Sequence, residues 1–200
     1  MIFGISGCSA SGKSFIVNYL TQNILPSKVS FVYQDNYYKS REKQSKDMKG
    51  IYNFDLPTAF LNDELINDLQ LLKKGKEILR DEYNFNNSKI KQKKIVTQAR
   101  PVIILEGLFI FSNQQISEML DYKIFIDAPI DVMLERRIQR DREIRGYDQY
   151  DVEYKFENHV KPSYYKYILP QKKNADLIIQ NNRDGNKAAK DVLKYINDLI

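Results

Sequence analysis

The segment Gly7-Cys8-Ser9-Ala10-Ser11-Gly12-Lys13-Ser14 fits the spacing G-x-x-x-x-G-K-[ST]. Its glycines let backbone N–H groups turn inward around phosphate oxygens, and the helix that follows adds the partial positive charge of its N-terminus. Lys13 is then expected to reach the β- and γ-phosphates of a nucleotide, and the Ser14 hydroxyl to take Mg²⁺. Cys8 contributes its backbone only. An ordinary Gly/Ser turn is the competing reading. Against it, the motif lies between a predicted strand and a predicted helix, the context phosphate binding requires.

Phosphoryl transfer also needs an acid that orders the metal and one that receives or orients the attacking hydroxyl. Asp35 follows the strand-like Phe31-Val32-Tyr33, at the strand end where ligands bind in open α/β sheets; alone it also reads as a turn aspartate before Asn36. Glu106 ends the apolar run 102–105, as a second metal-side acid or a residue satisfied by backbone N–H groups. Asp55, in Asn53-Phe54-Asp55-Leu56-Pro57, suits sugar hydroxyls or a helix entry. Arg136, Arg137, Arg140, Arg142 and Arg145 cluster around Asp141 and Glu143. Helical spacing puts Arg136 with Arg140 and Arg137 with Asp141, either as a salt-bridged surface or as the cations that stabilise charge on a transferring phosphoryl group.

Strands and helices alternate along the chain and must position these groups. Residues 2–6, 29–34, 102–105, 124–126 and 177–179 read as strands, and 13–22, 58–73, the stretch from about 130, and 187–199 as helices. This predicts an α/β fold with a mainly parallel sheet and helices on both faces, in one domain spanning 1–200. Two stretches break the rhythm: 76–98 as an inserted β-hairpin, with short strands at 77–79 and 95–97, and a helical lid at about 136–150.

The 200 residues carry 31 Lys plus Arg and 26 Asp plus Glu, a net charge of +5, and 42% are hydrophobic. That composition excludes wholesale disorder, and its apolar runs are too short to span a bilayer. One cysteine cannot form an internal disulfide and the N-terminus has no secretory pattern, so a cytoplasmic protein is expected. Of the polyanions the charge invites, phosphates fit best. Lys89, Lys91, Lys93 and Lys94 read as a solvated edge, so no nucleic-acid and no membrane partner is expected.

These residues together resemble the uridine–cytidine kinase family of the phosphoribulokinase/uridine kinase group, a group of P-loop kinases. The resemblance runs through the phosphate loop, Gln34-Asp35-Asn36-Tyr37-Tyr38, Asn53-Phe54-Asp55-Leu56-Pro57, Tyr83-Asn84-Phe85, Leu105-Glu106-Gly107, Arg136-Arg137-Ile138-Gln139-Arg140-Asp141, Arg145-Gly146, Val160-Lys161-Pro162 and Ala175-Asp176. It implies transfer of the γ-phosphoryl group of ATP or GTP, with Mg²⁺, to the 5′-hydroxyl of uridine or cytidine in pyrimidine salvage, by a homo-oligomer. Asp35 matches the catalytic base, Lys13, Arg140 and Arg145 the phosphate-side cations, and Glu106 with Ser14 the Mg²⁺ ligands. Asp55 and Arg137 match sugar-binding positions, and Tyr38, Phe54, Tyr83 and Phe85 the acceptor pocket. Asp184 matches a position near the donor's adenine. Ser88 stands where the family has a pyrimidine-reading histidine, Tyr147 where it has an arginine, and Lys155 where it has a glutamine. The sole histidine, His159, falls in a predicted helix and is not expected to be catalytic. The departures leave open a kinase of another small alcohol, such as another nucleoside, pantothenate or a sugar phosphate. A non-catalytic nucleotide-binding module is the remaining class.

Overall fold

The computed structural model describes residues 1–83, 93–143 and 145–200. Five parallel strands form the central sheet: β1 (Ile2–Gly7), β2 (Val29–Tyr33), β7 (Val102–Glu106), β8 (Tyr122–Asp127) and β9 (Leu177–Gln180), in the order β2-β7-β1-β8-β9. β1 and β7 are buried along their whole length, as their nearly continuous apolar sequences require of strands covered on both faces. All five strands point the same way, so their following loops gather along one edge, with the loop after β1 in the middle.

Helices cover both faces. α1 (Lys13–Asn23) and α7 (Gly185–Asn197) bury Ile16, Val17, Leu20, Ala188, Ala189, Val192 and Ile196 against one face. The other face receives Leu65, Leu69 and Leu72 of α2 (Asn62–Lys73) and Met133 of α4 (Ile130–Glu143). It also receives Phe156, Val160, Tyr164 and Ile168 from the continuous helical stretch that opens with α5 (Gln149–Lys155). That stretch contains the short α6 (Lys161–Ser163) flanked by two π-type turns. Pro162 has no N–H to donate to the Asn158 carbonyl, which interrupts the regular ladder after the first of them. The short α3 (Gln114–Met119) escaped the sequence reading, although Asn113 caps it by accepting from Ile116 N. Among the described residues, no helix is long and apolar enough to cross a membrane.

The expected helix from 58 starts later. Pro57–Ala59 is a single 3₁₀ turn, and Phe60 is held extended by a bridge to Tyr38, with Lys39 N donating to Ala59 O and Leu61 N to Tyr37 O. α2 can begin only after that bridge. The hairpin is present as antiparallel β5 (Ile78–Asp81) and β6 (Lys94–Thr97), one strand running two residues past its expected end. A second small ribbon, β3 (Ser45–Lys46) with β4 (Tyr52–Asn53), was not foreseen.

A partly buried ion pair joins the hairpin to the rest. Arg80 of β5 donates from Nε to Asp68 Oδ2 at 2.5 Å and also pairs with Glu64. The Tyr37 hydroxyl donates to the same Asp68 oxygen at 2.9 Å, and the guanidinium lies 4.5 Å from the Tyr37 ring centre. Asp68→Ala strands two donors that share one acceptor, so it should cost about 2 kcal/mol in urea unfolding, with Asp68→Asn costing less. An Asp68→Ala chain as stable as wild type would show that the network holds nothing.

Candidate active site

The loop from Gly7 to Ser14 connects β1 to α1, as its spacing predicted. Gly12 sits at φ +102°, and a Cβ there would fall 2.0 Å from Asn181 Nδ2, so only glycine fits. That amide donates to Ser11 O at 2.8 Å and so ties the loop to the end of β9. Lys13 is 6% exposed. Its ammonium donates to Cys8 O at 2.9 Å and lies 3.8 Å from Glu106 Oε1. Cys8 is 1% exposed, and burial is the main cause that pushes its thiol up to about 12. It serves the loop through its carbonyl, which also accepts from Ser11 N.

A cleft of about 1130 Å³ opens from this loop. Asp35 enters it from the 3₁₀ turn Gln34–Tyr37 directly after β2, and Glu106 from the end of β7. Gln34 and Gly107 bring these two strand ends together. A Cβ on Gly107 would lie 2.5 Å from Gln34 Cβ, and Gln34 Oε1 accepts from Phe109 N at 3.0 Å. Burial raises both acids above the usual carboxylate range, Glu106 to about 7. Lys13 opposes the rise at each, while Asp35 adds to it at Glu106.

Asp141 organises the arginines. Arg140 donates from Nε to its Oδ1 at 2.8 Å, Arg145 NH1 lies 3.3 Å from the same oxygen, and Arg137 Nε lies 3.4 Å from Oδ2. Although burial works against the charge, these three hold Asp141 below the usual carboxylate range. Arg137 is buried, donates to Ser9 Oγ at 2.9 Å and lies 3.6 Å from Asp55 Oδ1, which brings the phosphate loop and Asp55 to one cation. Arg136 turns away, donating to the carbonyls of Asn181 and Asn182 at 3.0 Å each. The segment expected to be a lid is helix up to Glu143 and again from Gln149.

An aromatic wall faces Asp35. Tyr38 meets Phe60 at 4.2 Å, Tyr83 at 4.7 Å and Phe54 at 5.9 Å between ring centres. Tyr83 N donates to Asn36 Oδ1 at 3.1 Å, fixing the chain just after β5 beside the Asp35 turn. Phe85, Ser88, Lys89 and Lys91 lie outside the described residues; Lys93 and Lys94 are exposed. Tyr147 and Lys155 both line the cleft as a pair, with the ammonium 4.6 Å from the ring centre and 2.7 Å from Asp151 Oδ2. His159 is 2% exposed at the cleft wall, and its Nε2 lies 2.8 Å from Asp47 Oδ2, which also accepts from the Tyr154 hydroxyl. It joins the β3–β4 ribbon to the helical stretch. Asp184 caps α7, accepting from Lys187 N at 2.9 Å, and Gly185 beside it packs against Phe15.

Within this cleft stand a phosphate loop, two carboxylates and a set of guanidinium groups. The profile of the Phosphoribulokinase / Uridine kinase family matches residues 2–188. The chain belongs to that family. It is 35% identical over 193 residues to a uridine kinase of Brevibacillus brevis, covering 96% of this chain and 90% of the relative. To uridine-cytidine kinase B of Dictyostelium discoideum it is 33% identical over 199 residues, covering 100% and 82%. Its fold is that of phosphoribulokinase from Rhodobacter spheroides (TM-score 0.65, 18% identity, 94% of this chain and 73% of the other). It is a phosphotransferase with an alcohol group as acceptor. The expected P-loop kinase fold therefore holds.

Family membership implies Mg²⁺, and the donor set suits it. Ser14 and Glu106 line the cleft with Asp35, all oxygen donors, and Mg²⁺ uses one or two carboxylates plus phosphate oxygens. Two acids that repel each other, Glu106 buried and Asp35 partly so, are stabilised by a hard cation beside them.

Cys8 should resist a thiol reagent at neutral pH in the native protein and react once unfolded; labelling as fast in both states would contradict its burial. Asp47 is held below the usual carboxylate range. Burial opposes this, but hydrogen bonds from His159, Ile51 N, Tyr154 and Lys49 N outweigh it. A depressed carboxylate contributes stability above its unfolded value of about 4 and loses it as pH falls through the native one. Asp47→Asn should therefore melt below wild type at pH 7, and that gap should close on acidification below about pH 4. A gap independent of pH would show that the charge is not what holds the ribbon.

Proposed function

We propose that the protein transfers the γ-phosphoryl group of ATP or GTP to the 5′-hydroxyl of uridine or cytidine, as expected of an enzyme of pyrimidine salvage. The observation that carries this reading is one continuous cleft joining the phosphate loop to the aromatic wall, with Asp35 between them. The relatives' names supply the nucleoside, and a planar base suits a wall of Tyr38, Phe54 and Tyr83.

The mechanism rests on position and charge. Asp35, raised above its ordinary value by burial, takes the proton of the attacking hydroxyl as that oxygen bonds to phosphorus and the nucleoside diphosphate leaves. Lys13, Arg140 and Arg145 stabilise charge on the phosphoryl oxygens, and Asp141 aims the two arginines before substrate arrives. Asp55, beside Arg137, holds sugar hydroxyls. Mg²⁺ held by Ser14 and Glu106 would neutralise phosphate charge. Closure of the segment 136–150 would exclude water that competes for the donor.

The Tyr147–Lys155 pair favours a second reading, an acceptor other than a pyrimidine nucleoside, because a site's polar partners decide its substrate. An acceptor screen at fixed ATP, following ADP release, separates the two. Lys13→Ala and Asp35→Asn should each lower uridine-dependent turnover by about 10²–10⁴-fold while the chain stays folded by circular dichroism. Wild-type turnover in either variant would overturn the assignment. Asp55→Ala should raise the KM for uridine and leave that for ATP in place.

A further inference from the structure

The cleft has a second end that the acceptor does not explain. In the sheet order, β2 and β7 deliver Asp35 and Glu106 to one side of the phosphate loop, and β9 lies on the other side. The transferred phosphate must face Asp35. The rest of the donor nucleotide must then leave the loop toward the end of β9.

Phe15 stands there. It follows Ser14 on α1, lines the cleft and is 49% exposed, while its neighbours Ile16 and Val17 are fully buried against the sheet. One edge of its ring rests on Gly185, where an added Cβ would come within 3.1 Å. Arg136 lines the same end, and its guanidinium is fixed by the carbonyls of Asn181 and Asn182. A large exposed aromatic backed by a glycine, lining one cleft with a pinned planar cation, has the chemistry of a stacking site for a nucleobase. We propose that Phe15 is the platform on which the donor's purine base stacks. This rests on the reading of the cleft as a nucleotide kinase site.

Stacking acts on the base and not on the phosphates, which gives the test. Inorganic tripolyphosphate carries the phosphate chain without a base. Phe15→Ala should raise the KM for ATP roughly tenfold. It should leave inhibition by tripolyphosphate and the KM for the acceptor unchanged, with Phe15→Tyr near wild type. The chain has no tryptophan, so Phe15→Trp introduces a single reporter. ATP should change its emission and tripolyphosphate should not. An unchanged KM for ATP in Phe15→Ala, equal weakening of ATP and tripolyphosphate, or an emission insensitive to ATP under turnover would overturn the proposal alone. Failure of ATP to bind wild type would overturn the kinase reading together with it.

Discussion

Two carboxylates, Glu106 and the partly buried Asp35, line one cleft with the buried ammonium of Lys13, and burial works against both negative charges. This imbalance is the constraint on which the site depends. Burial raises both acids; Lys13 offsets part of the cost at each, and Arg145 and Arg140 add to that offset at Asp35. The arrangement suits partners that bring their own charge: a polyphosphate for the lysine, a hard cation for the acids, a proton for Asp35. The arginines solve the opposite problem with Asp141, one carboxylate that aims several guanidinium groups and keeps them from repelling one another into solvent.

The fold makes this crowding possible by economy of direction. Parallel strands deliver every loop to the same edge, and the wholly buried β1 and β7 leave those loops little freedom to drift. Close approaches finish the work. Gly12 admits the Asn181 amide and Gly107 admits Gln34, so strand ends distant in sequence meet at contact distance. The hydrogen bond from Asn181 to Ser11 fastens the far side of the sheet to the phosphate loop.

The parts legible in the sequence were those whose chemistry is local. The phosphate loop could be read because backbone geometry dictates its spacing, and the strands because burial on both faces demands apolar runs. Asp35 and Glu106 were visible as acids at strand ends. What stayed hidden was pairing across long separations. Asp47 with His159 lies 112 positions apart, and Asn181 with Ser11 lies 170 apart, so no local pattern announces either. His159 looked like any helical histidine and proved to be a fastener at the cleft wall. The start of α2 was misplaced for the same reason: Phe60 answers to Tyr38, not to its neighbours.

The Arg80–Asp68–Tyr37 junction has a mechanical meaning. Tyr37 lies between Asn36, which holds Tyr83, and Tyr38, which forms the aromatic wall, and its own hydroxyl shares an oxygen with Arg80 of the hairpin. β5, the wall and the Asp35 turn are thereby one stiff lever rather than three parts in contact. A tilt of β5 while these bonds hold carries the Asp35 turn and Tyr38 with it.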